Sequence, residues 1–93
     1  METQDTALLQ LATASMALFR KLAKDAMNWN GQPMYDGTEN ENGCLTHLKK
    51  RGFLRTYRDE GITWVMFTNA GIEYAGALGE NLSWIPMHMR ALP

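Results

Sequence analysis

Cysteine is almost missing from this chain of 93 residues: Cys44 stands alone, so no internal disulfide can form. Its place beside Leu45 suits a small core residue. Histidine is nearly as scarce. His47 lies close to Cys44, but no further Cys or His completes a zinc set, and His88 is remote in sequence. Neither imidazole sits in a pattern of nucleophile plus base, and no paired carboxylates carry a pocket signature, so no enzyme and no catalytic residue is expected. No glycine-rich phosphate loop is present, and no metal site or cofactor is expected. An apolar run able to cross a bilayer is lacking as well, because Arg20, Lys21 and Lys24 interrupt the N-terminal stretch, and no charged-then-apolar leader opens the chain. The expected setting is cytoplasmic, with no membrane partner. Positive charge is not in excess either: nine Lys plus Arg against ten Asp plus Glu leave a net charge of −1. Such a chain grips nucleic acid only where its cations are gathered locally.

Glycine and proline are absent between Thr3 and Met27, so nothing there breaks a helix. The spacing predicts a long helix over 1–27, with Leu8, Leu11, Ala12, Leu18, Phe19, Leu22 and Ala26 on one face and Gln10, Thr13, Arg20, Lys21 and Lys24 opposite. Leu9, Met16, Ala23 and Met27 widen the apolar side beyond the stripe of ~100° that a small domain covers. Either the rest of the chain wraps both flanks, or a second copy packs there as a twofold dimer. The dimer is the expectation, because so short a chain has little other surface to offer. Its interface is placed at Leu9, Met16, Ala23 and Met27, joined by Trp84 and Met87 from the other end of the chain.

Residues 28–42, NWNGQPMYDGTENEN, are dominated by turn formers. Too few residues separate the flanking helices for another helix with its two loops. Trp29, Met34 and Tyr35 are therefore expected to supply a short extended segment, a third strand beside the hairpin that follows. A helix over 38–52 begins with Thr38 and Glu41 at the spacing of a capping box, turns Cys44, Leu45 and Leu48 inward, and stops at Gly52. Phe53–Arg58 and Ile62–Thr68 are rich in aromatic and β-branched residues and flank the turn Asp59-Glu60-Gly61, which gives a hairpin over 53–68. Val65 and Phe67 share one side of its second strand and Ile62, Trp64 and Met66 the other; one side faces the core and the other needs cover. Thr68 caps a helix over 69–79, with Ile72, Ala75 and Leu78 inward and Gly79 as its stop. The tail, 80–93, holds Leu82, Trp84, Ile85, Met87, Met89 and Leu92, too apolar for a free end, and is expected to be docked.

Helix, glycine, hairpin and capped helix in that order, with LKKRGFL leading through a charged turn to FTNAG, resemble the winged-helix family. The match is to the MarR-like signature L-x-x-[KR]-G-[LF]-[LV] followed by [LF]-T-x-x-G. It covers the second half of the chain directly and the first half by analogy; the additional helix that a full winged helix has before the recognition helix is missing. The resemblance implies an α+β winged helix with a long N-terminal helix, a recognition helix at 38–52, a hairpin wing at 53–68 and a short C-terminal helix. It implies a module that binds nucleic acid or protein, and fold alone does not choose. Five of the nine cations, Lys49, Lys50, Arg51, Arg55 and Arg58, fall where phosphates would flank a groove in that fold. Asn40 and Asn42 suit adenine, Thr46 a polar edge or a thymine methyl, and Lys50 guanine, while Gly43 permits close approach of the backbone. With His47 as an exposed neighbour, the expected DNA-binding set is Asn40, Asn42, Gly43, Thr46, His47, Lys49, Lys50, Arg55 and Arg58. Glu39, Glu41, Asp59 and Glu60 oppose it. The expected function is a homodimeric transcriptional regulator on double-stranded DNA. The alternative is a phage or mobile-element adaptor or inhibitor that engages a host protein through Ile62, Trp64 and Met66.

Overall fold

The computed structural model describes the backbone of residues 2–37 and 39–92 and the side chains of residues 13–37 and 41–92. The stretch free of glycine and proline forms α1, Glu2–Asp25. Ala26–Trp29 then tightens into a 3₁₀ turn, and Asn30 (φ 56°) with Gly31 (φ 97°) reverses the chain. Asparagine and glycine are the residues that enter the left-handed region at least cost. After the reversal come β1, Met34–Tyr35; α2, Glu39–Lys50; β2, Leu54–Asp59; β3, Ile62–Phe67; and α3, Asn69–Ala77. Among the described residues the result is an α+β arrangement of three α-helices and one antiparallel sheet in the order β1-β3-β2. The third strand does come from the turn-rich segment, with Met34 opposite Trp64 and Tyr35 opposite Thr63. Among the described residues no helix is long and apolar enough to cross a membrane.

Strand alternation sends Leu54, Val65 and Phe67 into a core shared with Leu18, Phe19 and Leu22 of α1 and Leu45 and Leu48 of α2. Phe19 is its aromatic centre, 5.2 Å from the Tyr74 ring, 5.6 Å from Phe67 and 6.1 Å from Phe53. Phe53 in turn stacks on Tyr74 at 4.3 Å.

The ends of α2 and α3 are tied in one knot. Gly52, at φ 78°, donates to the Lys49 carbonyl and Phe53 donates to Leu48, the paired bonds of a glycine-terminated helix. Thr68 accepts from the Gly71 amide at 3.0 Å through its hydroxyl oxygen, and the same hydroxyl donates to the Gly52 carbonyl at 2.6 Å. The Thr68 amide closes the ring by donating to Phe53 at 3.1 Å. Buried backbone groups at two helix ends and a strand end are thus satisfied by one side chain and three amides.

The tail is docked, as its apolar content requires, through two of its six large apolar side chains above all. Leu82 and Ile85 lie one turn apart and are buried together, and the Ala91 amide donates to Phe67 beside the sheet. Arg90 fastens this segment, donating to the carbonyls of Ile85 (2.8 Å) and Ser83 (3.1 Å) and to Asn69 Oδ1 (3.1 Å). Trp84 is turned outward, 41% exposed, its indole N–H satisfied locally by the Asn81 carbonyl at 3.0 Å. The ring against Trp64 on the outer sheet face is that of Trp29, 5.3 Å away. Ala23 also departs from expectation. It is 3% exposed and belongs to the chain's own core, which leaves a second copy almost none of its surface. The inner stripe of α1 is wide enough to take both Leu22 and Ala23, because the tail delivers Leu82 and Ile85 to the same core. Met16 is half-buried, and the Leu9 side chain lies outside the described residues.

Candidate nucleic-acid interface

The helix α2 presents its two sides as its period requires. Cys44, Leu45 and Leu48 are buried, while Asn42, Gly43, Thr46, Lys49 and Lys50 are exposed. Thr38, expected to cap it, lies outside the described residues, as does the side chain of Asn40. Four polar contacts brace this helix against its neighbours. Lys21 reaches Glu41 at 3.3 Å, an exposed pair of small worth. Ser15 of α1 meets His47 Nδ1 at 2.9 Å, Tyr35 of β1 donates to Asn42 Oδ1 at 2.8 Å, and Arg55 of β2 donates to the Lys49 carbonyl at 3.0 Å.

Three of the expected DNA-binding residues take part in these contacts, and a fourth, Arg58, is engaged elsewhere. His47 is half-buried rather than freely exposed, because the buried Ser15 hydroxyl needs a partner and His47 supplies it. Asn42 has one end of its carboxamide engaged, so the two-point pairing that reads adenine would require breaking the bond to Tyr35. Arg55 stands at the C-terminal end of α2, where a cation complements the helix dipole, and Arg58 is turned back on the Gly61 carbonyl at 3.1 Å. Arg55 and Arg58 also alternate to opposite faces of the hairpin, so the five cations do not form one continuous patch. Arg51 lies over the Phe53 ring at 5.3 Å. Lys49 and Lys50 keep exposed side chains on the rim of α2, and Gly43 has open space where a side chain would stand. Thr46 donates to the Asn42 carbonyl one turn back, which leaves its oxygen free to accept.

Ser15 and Tyr35 were not legible as parts of this surface from spacing; only a buried hydroxyl in a helix and a tyrosine before a turn signal them. Burial pushes the Tyr35 phenol above its ordinary value, and the charges of Glu41, Cys44 and Asp36 add to the effect. The folded chain therefore favours the neutral phenol. The stability this contributes is complete below the unfolded value of about 10 and is lost as pH rises through the higher folded one. Alkaline titration of stability, followed by urea unfolding between about pH 9 and 11, should fall more steeply in the wild type than in Tyr35→Phe.

Among the described residues no three His, Cys, Asp or Glu side chains gather as a metal site requires. Compared with known proteins, the chain matches no family model, no curated protein and no solved structure.

Proposed function

We propose that this chain is a small winged-helix protein that binds duplex DNA through the exposed side of α2 and the adjoining β2–β3 hairpin, as a homodimeric transcriptional regulator. One observation carries the reading: the side of α2 bearing Gly43, Thr46, Lys49 and Lys50 is uncovered, while hydrogen bonds from α1, β1 and β2 brace the helix from its other sides. A helix fixed by its scaffold and open on one polar, cation-rimmed side is what a major groove admits. Arg51, Arg55 and Arg58 each keep guanidinium donors beyond those already used, since an arginine has five. The chain's near-neutral balance limits non-specific affinity, so phosphate contacts have to be few and well placed.

The test is a salt titration of duplex retention by the full chain. Engagement of three or four phosphates gives a slope of log K against log salt of roughly −3, each contact contributing about −0.9. No retention at low salt, or retention indifferent to salt, rejects the DNA reading. In that outcome the adaptor reading takes its place. Its own support is the outer sheet face, where Tyr57 and Trp29 are exposed around a half-buried Trp64, residue types that concentrate binding energy at protein interfaces.

A further inference from the structure

Beyond the buried Leu82 and Ile85, the tail tightens into a 3₁₀ turn over Met87–Met89. His88 and Met89 of that turn, together with Asn30, Trp84 and Pro86, line a hollow of about 430 Å³. Its frame is held by hydrogen bonds. The Met89 amide donates to the Pro86 carbonyl at 2.9 Å, the Gln32 carboxamide donates to the Met89 carbonyl at 3.0 Å, and the Trp84 indole N–H is anchored on the Asn81 carbonyl at 3.0 Å. The donor atoms themselves are uncommitted. His88 is exposed, and among the described residues no hydrogen bond or ion pair engages its ring or the Met89 sulfur.

The chemistry of that lining selects what it can hold. Among the described residues no Asp, Glu, Lys or Arg lines the hollow. Calcium and magnesium take anionic oxygen ligands, and zinc takes three or four Cys, His or carboxylate ligands, so neither kind of ion is served. A thioether is a soft ligand that selects Cu(I), imidazole suits copper as well, and the face of an indole attracts a cation. An uncharged lining also compensates one positive charge more easily than two. We infer that this hollow takes one soft monovalent metal ion, Cu(I), ligated by a ring nitrogen of His88 and the sulfur of Met89, with the Trp84 indole as its cation–π wall. Spacing of Cys, His and carboxylates passes over such a set, because a thioether in an apolar tail reads first as a packing residue. None of these residues lies on α2, so the site stands whether or not that helix meets DNA.

The test is an anaerobic titration of the full chain with Cu(I) in competition with bicinchoninate, whose Cu(I) complex is coloured, with indole fluorescence followed alongside. The wild type should withdraw one equivalent of Cu(I) from the chelator and lose part of its fluorescence. Trp84→Phe should lack that quench and bind about fivefold more weakly, the phenyl face being the poorer cation–π partner. His88→Ala and Met89→Leu should each weaken binding by roughly a hundredfold, the upper end of what losing even a supporting residue costs a metal site. His88 is exposed and leucine is close to methionine in volume, so both variants keep the fold, which urea unfolding checks. Two further variants exclude other soft sulfur: Cys44→Ala removes the buried thiol, and Met87→Leu removes a thioether that is 67% exposed but does not line the hollow. Both should bind Cu(I) as the wild type does. A wild type that takes no Cu(I) overturns the inference, as does affinity kept in His88→Ala or Met89→Leu, or lost in Cys44→Ala or Met87→Leu.

Discussion

Gly71→Ala is expected to lower stability by about 3 kcal/mol or more, a large part of what a domain of this size possesses. A Cβ at position 71 would run into the backbone carbonyl of Phe53. That carbonyl has no easy retreat. It accepts the Thr68 amide at 3.1 Å, and the Phe53 ring is held against Tyr74 at 4.3 Å. Moving the start of α3 instead would break the bond from the Gly71 amide to the Thr68 hydroxyl, and the same hydroxyl is committed to Gly52. Relief at one contact therefore costs another, and small-to-large changes are worst where no neighbour can give. Gly76 of the same helix makes the comparison sharp. It is exposed with open space around it, so Gly76→Ala should gain up to about 1 kcal/mol from helix propensity alone. Equilibrium urea unfolding of the two variants checks the pair. A Gly71→Ala midpoint equal to the wild type would mean that the knot joining the two helices yields far more easily than its bonds imply.

The same knot shows why part of this fold is legible in the sequence. Gly52, Phe53, Thr68 and Gly71 are each demanded by local geometry: a left-handed helix stop, a strand entry, a hydroxyl cap, and a close approach of backbones. Requirements of that kind restrict residue type, so RGF and FTNAG can be read as structure without coordinates. β1 was legible for a different reason, since the segment between the helices is too short for anything but an extended piece. Strand alternation likewise put Val65 and Phe67 on one side of β3, and that side is the buried one.

The candidate surface was less legible, because its polar contacts join residues remote in sequence. Periodicity places His47 at the flank of α2, but that Ser15, 32 positions earlier, meets its ring depends on how α1 crosses that helix. Arg55 has the charge for a phosphate, yet the Lys49 carbonyl at the end of α2 accepts from it. In the tail the sequence marks six apolar side chains alike, and the one-turn spacing of Leu82 and Ile85 decides which are buried and leaves Trp84 outside. Ala23 fits either environment, so only the arrival of those two tail residues settles its burial.

Reversing Lys49 and Lys50 together, Lys49→Glu with Lys50→Glu, should weaken duplex retention by roughly a hundredfold and flatten the salt slope by about 2. These two are the right pair because their side chains are exposed on the rim of α2. Arg55 is not a suitable third. Its guanidinium holds the Lys49 carbonyl, and a glutamate there would remove that bond and set an anion at the negative end of the helix, confusing loss of binding with loss of structure. The double lysine reversal also places negative charge near that helix end, but on exposed side chains the cost is limited to about 1–2 kcal/mol and screened by salt. Urea unfolding at moderate salt should therefore find the variant folded, while retention on duplex DNA at low salt is lost. If binding weakens without any change in slope, the two lysines act through the shape of the helix end and do not touch phosphate. If retention is unchanged, the exposed side of α2 is no part of a DNA interface, and the open positions at Gly43 and Thr46 need another explanation.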